Sequence, residues 1–388
     1  MYILTLKKGE EKRIIAGHPW VYANEVLKIE GKDTQGSIAK VLAYDGRFIG
    51  YGYINHLSKI IVRILSRDET PIDYDFFYNR IKESNDRRIK LGYDNNYRVV
   101  FGENDLLPGL IVDKYGDYLS VQFLSLGMDI RKDMIVKILV DIFKPLGIYE
   151  RSDVSVREKE GLKQVKGPLY RDFNPRVNIT ENGIKMIVDL ENGQKTGYFL
   201  DQKENRDNLK HYVKDKEVLD CFCNVGGFSL CASKHGAKKV TALDISELAI
   251  KEVEDHAKMN GFENIDAVCA DVFEKLREYR RDKKKFDVII LDPPAFTKSK
   301  DTVKAGYLGY RDINTLALKL LKKEGILVTC SCSQHLTLNL FLDLIRESCA
   351  HANVNAQMVE LRMQGKDHSS LIGSDEGLYL KLAVVRVI

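Results

Sequence analysis

From about Val218 onward, short apolar segments alternate with longer segments of helical periodicity. The apolar segments are VLDCF, VTALDI, DAVCAD, FDVIILD, GILVTCS, AQMVEL and LYLKLAVVRVI. This alternation predicts a parallel sheet with helices on both faces, for example Ser246–Asn260 and Arg311–Lys323. The last strand follows the loop His368–Gly377 without a helix, so it should run antiparallel. We therefore predict an α/β fold with a seven-stranded sheet in which that strand is reversed.

The chain of 388 residues is too long for one ordinary core. β-Branched and aromatic segments near the start, with a turn at Asp45-Gly46, predict a small β-barrel. We predict a β-barrel (1–70), an α+β middle domain (71–175) and the seven-stranded domain (176–388). The strands expected in the barrel are Ile38–Tyr44, Phe48–Ile54 and Lys59–Leu65. The elements expected in and just after the middle domain are Tyr74–Leu91, Leu110–Asp113, Tyr118–Gln122, Ile130–Phe143, Gly147–Arg151 and Ile184–Asp189.

Composition narrows the class of protein. A hydrophobic share of 44% with 30% charged residues is typical of a globular chain, and no apolar run is long enough to cross a bilayer. The first residues, MYILTLKKGEEKR, lack the apolar stretch of a signal peptide, so we expect a cytoplasmic protein with reduced cysteines. The net charge of +4 permits an anionic partner such as RNA without requiring one.

The first strand of the seven-stranded domain ends at a glycine turn. Asn224-Val225-Gly226-Gly227 follows the strand, and a helix begins at once. Glycine lets a ligand approach the backbone where strand ends and helix N-termini converge. The turn lacks the G-x-G-x-x-G spacing that places a pyrophosphate on a helix, which favours a nucleoside ligand without phosphates. A turn that merely connects strand to helix is the simpler alternative.

Acidic residues lie at the ends of three successive strands. Asp244 ends the second strand, where a carboxylate can accept hydrogen bonds from ribose hydroxyls. Asp271 closes the third strand and is expected either to meet an adenine amino group or to cap a helix. The residues predicted to contact the cofactor from the strand ends are Asp220, Phe222, Gly226, Asp244, Ile245, Asp271, Val272 and Asp292.

The fourth and fifth strands end in Asp292-Pro293-Pro294-Ala295-Phe296 and in Thr329-Cys330-Ser331-Cys332-Ser333. Two prolines prevent ladder bonding, so Asp292 should project into the ligand crevice, near a thiol of the fifth strand. Addition of a thiolate to carbon 6 of a pyrimidine makes carbon 5 nucleophilic, and a carboxylate beside N3 and the amino group of cytosine would stabilise the adduct. The simpler alternatives are an Asx turn and buried apolar cysteines.

A zinc site is the rival interpretation of the cysteines. Cys221 with Cys223, and Cys330 with Cys332, form two Cys-X-Cys pairs. Structural zinc sites usually have two-residue spacers within a turn, whereas these pairs have one-residue spacers at strand ends, so we predict no metal ion. On a regular strand Cys330 and Cys332 point the same way, and the spacing does not separate them as nucleophiles.

Motifs along nearly the whole chain resemble those of the RlmI-like family of large-subunit ribosomal RNA cytosine-5 methyltransferases. The DPPAF and TCSCS motifs described above are two of the matching segments. The others are GHPWVY (17–22), NDLLPGLIVD (104–113) with YGD (115–117), TGYFLDQKENR (196–206), Asp367-His368 and EGLYLK (376–381). The resemblance implies an N-terminal PUA domain, a middle domain and a Rossmann-like domain that binds S-adenosylmethionine. One departure is Cys223-Asn224-Val225, where many relatives carry an aromatic residue and a threonine.

The resemblance also implies roles for single residues. Tyr198, Phe199, Gln202 and Arg206 are expected near the methionine and adenosine parts of the cofactor. Resemblance to RNA pyrimidine methyltransferases favours Cys332 as the nucleophile. Asp292 and Cys332 are thus the predicted catalytic pair for forming 5-methylcytosine in large-subunit (23S) rRNA.

RNA is the partner that a PUA domain implies. The basic runs Lys7–Arg13, Arg87–Lys90 and Arg280–Lys285 are expected either to contact phosphates or to be solvated helix faces. The alternative functions are N7-guanine methylation, which needs no thiol, and a non-catalytic ribosome-assembly protein that binds RNA. Amino-nitrogen methylation is less favoured, because Ala295 stands where an aromatic residue is usual. The oligomeric state is left open, with a homodimer as one option.

Overall fold

The computed structural model describes residues 1–297 and 300–388, with Lys300 described by its backbone alone. Two compact units can be distinguished by contact density. The first comprises Met1–Ile179, Ile187–Asp201 and Lys366–Gly377, and the second Thr180–Met186, Gln202–Gly365 and Leu378–Ile388. The division into three domains at residues 70 and 175 stays a prediction.

The first unit begins with a mixed six-stranded sheet. Its elements are β1 (Tyr2–Leu6), α1 (Glu11–Ile15), β2 (Trp20–Tyr22), β3 (Val26–Glu30), β4 (Ile38–Leu42), β5 (Phe48–Ile54) and β6 (Ile60–Ser66). The strand order is β2-β6-β5-β4-β1-β3. The predicted turn at Asp45-Gly46 joins β4 and β5 as an antiparallel hairpin, with Gly46 in the left-handed region at φ +85°. Apolar side chains from five of these strands, from Leu4 to Ile64, form the core of this sheet.

A second, five-stranded sheet follows in the same unit. Its elements are α2 (Tyr74–Lys90), β7 (Asn96–Phe101), β8 (Leu110–Tyr115), β9 (Tyr118–Phe123), α3 (Leu126–Asp129), α4 (Lys132–Phe143), β10 (Gly147–Ser152) and β11 (Val165–Tyr170). A separate two-stranded sheet, the hairpin of β12 (Arg176–Glu181) and β13 (Ile184–Asp189), comes next in the chain, and its tip, Thr180–Met186, belongs to the second unit. The strand order in the five-stranded sheet is β11-β10-β9-β8-β7. Phe77 and Ile81 of α2 and Ile135, Ile138 and Leu139 of α4 are buried in its core, as the helical spacing of apolar residues predicts.

The second unit contains the predicted seven-stranded sheet. Its elements are α5 (Lys203–Asp207), β14 (Glu217–Cys221), α6 (Gly227–Lys234), β15 (Lys239–Asp244), α7 (Glu247–Asn260), β16 (Ile265–Cys269), α8 (Val272–Arg281), β17 (Phe286–Leu291), α9 (Val303–Leu320), β18 (Leu321–Ser331), α10 (Leu338–Ala352), β19 (Ala356–Arg362) and β20 (Lys381–Val387). The order is β16-β15-β14-β17-β18-β20-β19. β20 runs antiparallel to both of its neighbours, which confirms the reversed last strand.

The helix predicted at Arg311–Lys323 is wrong at both ends. α9 begins at Val303 and ends at Leu320, and β18 already begins at Leu321. Leu321 pairs with Phe286 of β17 before a bulge moves the register on to Ile326 opposite Val288. Pairing with the neighbouring strand, a long-range contact that local periodicity does not report, therefore ends the helix early.

The strand order positions a crevice at one edge of this Rossmann-like sheet. The chain moves outward from β14 to β15 and β16, then returns to pair β17 against the other side of β14. Ligands bind such sheets at this reversal, beyond the carboxyl ends of the strands. Cys221, Leu291 and Thr329 occupy one row across β14, β17 and β18, so the residues after them face the same crevice. Among helices in the described ranges, none is long and apolar enough to span a membrane.

Candidate active site

The turn between β14 and α6 is built from left-handed residues. Phe222, Asn224 and Gly226 have φ values of +62°, +49° and +88°. A Cβ added at Gly226 would lie 3.1 Å from the nearest methyl carbon of Val253 on α7. Glycine at 226 is thus required both by the backbone conformation and by the close approach of α7. Asn224 and Val225 of this turn are partly exposed, while Gly226 and Gly227 are buried, and the turn as a ligand site stays a prediction.

Asp244 connects the ends of β14 and β15. Its Oδ2 accepts a hydrogen bond from the Asn224 backbone N–H at 2.9 Å, and its Oδ1 accepts one from the Ser246 N–H at 3.0 Å. Each carboxylate oxygen retains a second lone pair. These two backbone donors orient the carboxylate, and its remaining lone pairs suit ribose hydroxyls. Ile245 beside it is 70% exposed, which leaves an apolar surface at the strand end.

Asp271 and Val272, predicted as cofactor contacts, lie just beyond the third strand, since β16 ends at Cys269, and both have structural roles. Asp271 caps α8, with its Oδ1 accepting the Glu274 backbone N–H at 2.9 Å. Val272, the first residue of α8, is buried in the main core of the second unit. Of the two roles predicted for Asp271, the helix cap is therefore present in the structure. A carboxylate at an N-cap can still accept a second hydrogen bond through its other oxygen.

Asp220 is a fully buried carboxyl group at the base of the crevice. Burial raises its pKa to about 7, while the Ser229 hydroxyl, which donates to Oδ2 at 2.6 Å, opposes that shift. The nearby charges of Asp292 and Asp244 add to the rise. Within residues 1–297 and 300–388, Asp220 Oδ1 has no hydrogen-bond partner. Three carboxyl groups thus converge at one edge of the sheet, a setting that attracts a positively charged ligand.

A chain of amides holds Asp292 in place. Gln202 Nε2 donates to Asp292 Oδ1 at 3.1 Å, and Gln202 Oε1 accepts from Asn205 Nδ2 at 2.7 Å. Asn205 Oδ1 in turn accepts from Arg362 Nε at 2.9 Å. Each amide therefore has one orientation, which fixes the direction in which Asp292 presents its carboxylate. Asn205 was missed by sequence reasoning, although its spacing of three from Gln202 places both on one face of a helical turn.

The structure separates the two thiols that the sequence leaves equivalent. Cys330 lies inside β18, is completely buried, and has its pKa raised well above the ordinary value by burial, with Asp292 adding to the rise. β18 ends at Ser331, so Cys332 lies just beyond the strand and is partly exposed. The alternation expected of a regular strand stops between the two residues. A substrate can therefore reach Cys332, whereas Cys330 is enclosed.

Aromatic side chains surround the segment after β17. The Phe296 ring lies 4.6 Å from Tyr310, 6.1 Å from Phe273 and 6.4 Å from Phe222, measured between ring centroids. The Tyr310 hydroxyl lies 2.9 Å from Ser333 Oγ and so links α9 to the loop after β18. Phe222, predicted as a cofactor contact, thus belongs to an aromatic cluster beside the reaction motifs.

The four residues of the TGYFLDQKENR segment fall into different settings. Tyr198 and Phe199 belong to the first unit, where the Tyr115 hydroxyl donates to the Tyr198 carbonyl at 3.1 Å. Gln202 and Arg206 belong to the second unit. Arg206 is buried there, with Nε and Nη2 donating to the two carboxylate oxygens of Glu181 at 2.7 and 2.9 Å. The structure therefore brings Gln202 to Asp292 and engages Arg206 in an ion pair.

The cysteines do not converge on one point. Cys221 belongs to the core cluster that contains Leu291, whereas Cys223 packs in a separate cluster with Val253. No group of three or more histidine, cysteine, aspartate or glutamate side chains suited to a metal ion occurs in residues 1–297 or 300–388. The zinc interpretation of the two Cys-X-Cys pairs therefore has no geometric support.

Some arginines of the predicted basic runs form ion pairs with carboxylates of the same chain. Arg88 is completely buried and donates to both oxygens of Asp105 at 2.6 and 2.7 Å, so it is neither a phosphate contact nor part of a solvated face. Arg13 bonds Glu25 at 2.6 Å. Arg280–Lys285, at the end of α8, is exposed throughout. Of the three runs, this last one keeps all its cations at the surface.

These features define a class of protein. The strand order with a reversed seventh strand, the glycine turn and the carboxylate at the end of β15 are those of a Rossmann-like methyltransferase. The residues fit S-adenosylmethionine, because the Asp244 carboxylate has lone pairs available for ribose hydroxyls and the buried Asp220 carboxyl group at the bottom of the crevice suits a cationic ligand. The comparisons with known proteins agree. Residues 4–67 match the model of a PUA-like domain, and residues 171–366 match that of the S-adenosylmethionine-dependent methyltransferases.

Curated relatives match along the full chain. The proteins named ribosomal RNA large subunit methyltransferase I are 41% identical in Aeromonas salmonicida over 390 residues (99% of this chain, 98% of the relative) and 41% identical in Shewanella amazonensis over 392 residues (99% of each). A solved structure of a methyltransferase complexed with SAH has a TM-score of 0.84 at 22% identity and covers both chains completely, which shows the shared fold. The chain therefore belongs to the S-adenosylmethionine-dependent methyltransferases, in the family of these large-subunit enzymes.

Proposed function

We propose that the protein methylates carbon 5 of a cytosine in large-subunit (23S) ribosomal RNA, with Cys332 as the nucleophile and Asp292 as the group that binds the cytosine edge. The names of the full-length relatives support the RNA substrate, and the PUA-like domain supports RNA binding. The observation that carries the cytosine-5 assignment is a partly exposed thiol, Cys332, at the same strand ends as an oriented carboxylate, Asp292.

The geometry suits a covalent adduct. The Cys332 thiolate adds to carbon 6 of the base, and the electron pair of the 5,6 double bond moves toward carbon 5, which becomes nucleophilic. Asp292, oriented by Gln202, accepts a hydrogen bond from the 4-amino group and, in its protonated form, donates to N3, which becomes more basic when the thiolate adds, and so stabilises the adduct. S-Adenosylmethionine supplies an electrophilic methyl group. The methyl transfer would leave S-adenosylhomocysteine, after which the proton of carbon 5 passes to water, its electron pair re-forms the double bond, and the carbon–sulfur bond breaks to return the thiolate.

Cofactor binding is proposed for the strand ends of β14, β15 and β16. Asp244 would accept the ribose hydroxyls, with the exposed Ile245 beside the adenine, and Gly226 would admit the methionine part past the backbone. The carboxyl groups of Asp220 and Asp292 would lie near the sulfonium centre, and Asp220 would add negative charge there above its pKa of about 7. Tyr198, Phe199, Gln202 and Arg206 remain expectations from the family resemblance. Because the guanidinium group of Arg206 is buried against Glu181, the expected cofactor contact of Arg206 has the least support of these four.

RNA contacts are proposed for the PUA-like domain and for Arg280–Lys285. The exposed cations of this run can neutralise phosphates, and the resulting affinity would fall with salt concentration. The base must leave its stack to reach a thiol within the crevice, because carbon 6 is inaccessible in a paired helix.

The test is methyl transfer from labelled S-adenosylmethionine to unmodified 23S rRNA, followed by identification of the modified nucleoside. Wild type should yield 5-methylcytidine, and Cys332→Ala should yield none. Cys330→Ala and Cys349→Ser are matched thiol controls, one inside β18 and one on α10, and Cys349→Ser should retain full activity. Product from Cys332→Ala at the wild-type rate would refute the nucleophile, and 7-methylguanosine from wild type would refute the cytosine assignment.

A further inference from the structure

A buried lysine lies beside the loop that carries Cys332. Lys381 is the first residue of β20 and pairs with Ser331 of β18, the residue before Cys332. It is only 3% exposed, and its ammonium group donates to the Ser333 backbone carbonyl at 2.9 Å. Lysine is among the residues least often fully buried, because removing an ammonium group from water is costly. Its position at the end of the TCSCS segment therefore calls for a compensating interaction.

The electrostatic environment identifies the partner. Burial lowers the pKa of Lys381 to about 8, and the charge of Cys332 opposes that shift. The charge of Cys332 also acts on Tyr310 of α9 and on Cys330 of β18, and Cys330 in turn lies near Asp292, which follows β17, and near Asp220 of β14. All four are neutral or negative, and burial raises the pKa of Cys330 far above the ordinary value. Cys332 is the acidic group that acts on Lys381, and the bond to the Ser333 carbonyl holds the Lys381 ammonium group against the loop that carries this thiol.

We propose that Lys381 is a positioning residue whose ammonium group stabilises the Cys332 thiolate and fixes the loop after β18 for attack on carbon 6 of the base. The inference rests on the proposed function in one respect, namely that Cys332 is the nucleophile. To form the pair, the S–H bond of Cys332 breaks and its proton passes to water where Lys381 is already an ammonium group, or to the Lys381 amine where that amine is neutral, and either route gives thiolate and ammonium. Because the thiolate returns at the end of each turnover, this proton transfer is needed only once.

A purely structural role for Lys381 makes a different prediction. If the side chain served only to satisfy the Ser333 carbonyl, glutamine would replace it, since its amide N–H is also a donor. Glutamine carries no charge, however, and cannot stabilise a thiolate. Lys381→Gln therefore separates the hydrogen bond from the charge, and Lys381→Arg retains the charge.

The experiment measures the rate of Cys332 alkylation by iodoacetamide between pH 6 and pH 10 without RNA, with the modified residue located by peptide mass spectrometry. Binding of S-adenosylhomocysteine confirms that each variant is folded. In Lys381→Gln the midpoint of the pH profile should rise by about one unit or more, the usual effect of removing an adjacent opposite charge. Lys381→Arg should stay near wild type, as should Arg386→Met, which removes an exposed cation from the other end of the same strand.

An unchanged midpoint in Lys381→Gln would overturn the proposal. If that variant does not fold, the reciprocal measurement in Cys332→Ser decides. Competitive amine labelling follows the titration of the Lys381 amine, and loss of the thiolate should lower the pH at which this amine titrates. An unchanged titration pH would overturn the proposal. Because alkylation is measured without RNA, a lysine-dependent midpoint combined with no 5-methylcytidine product would refute the proposed function alone.

Discussion

Replacing Glu181 with glutamine tests whether Arg206 stabilises the fold or binds the cofactor. Family resemblance implies that Arg206 lies near the methionine and adenosine parts of the cofactor, whereas the structure encloses its guanidinium group with Glu181. The two side chains are each no more than 3% exposed and share two hydrogen bonds of 2.7 and 2.9 Å. Glutamine preserves the shape of Glu181 but leaves the buried charge of Arg206 without its counter-charge.

The expected magnitude follows from this burial. Removing one partner of a buried, hydrogen-bonded ion pair costs about 3–5 kcal/mol of unfolding free energy, because the remaining charge is left uncompensated. Exposed pairs contribute about 0–1 kcal/mol. Lys210 and Asp207, joined at 2.7 Å on the surface of the same unit, provide the matched exposed pair. Asp207→Asn should therefore change the unfolding free energy by less than 1 kcal/mol.

The assay is urea unfolding of the full chain with and without S-adenosylhomocysteine. The transition that shifts with ligand identifies the second unit, since a ligand stabilises the unit that binds it. Glu181→Gln and Arg206→Met should each move this transition to lower urea, and the double substitution Glu181→Met with Arg206→Met should recover much of the loss. Ligand affinity of the folded fraction should be unchanged. A tenfold loss of affinity in Arg206→Met with stability retained would refute this reasoning and restore the cofactor role.

Three further outcomes are expected. The pKa of Asp220 is about 7 in the folded state against an ordinary value of 3.8, so the folded state keeps this proton to higher pH than the unfolded state. Wild-type stability should therefore fall as pH rises from about 4 to 7, and Asp220→Asn should flatten this part of the pH–stability curve. Gly226→Ala should cost about 1–3 kcal/mol, through its positive φ and the contact with Val253, and weaken S-adenosylhomocysteine binding measured by calorimetry. Asn205→Ala should release Gln202, and with it Asp292, and lower kcat about tenfold or more in the methyl-transfer assay.

The parts of the fold that the sequence predicted are those with strong local signals. Apolar strands alternating with helices predicted the seven-stranded sheet, and the loop His368–Gly377, which carries no α-helix, predicted the reversed β20. The hairpin at Asp45-Gly46 and the turn at Gly226 were also predicted, because both depend on conformations that few residue types adopt.

The remainder depends on contacts between residues far apart in sequence. The early end of α9 follows from the pairing of Leu321 with Phe286, and the burial of Arg206 follows from the position of Glu181, both of which are products of the tertiary fold. Cys330 and Cys332 differ only because β18 ends between them. In the sequence, Lys381 looks like an ordinary strand residue. Only the pairing of β20 with β18 places it beside the loop that carries Cys332.

The covalent adduct is tested most directly by trapping it. RNA in which the target cytosine carries fluorine at carbon 5 cannot lose a proton there after methylation, so the thioether to carbon 6 should persist. With S-adenosylmethionine present, we predict a denaturant-resistant complex whose RNA-linked peptide contains Cys332, with no complex from Cys332→Ala. Attachment at Cys330, or normal methylation of unsubstituted RNA without any adduct on the fluorinated RNA, would contradict the account.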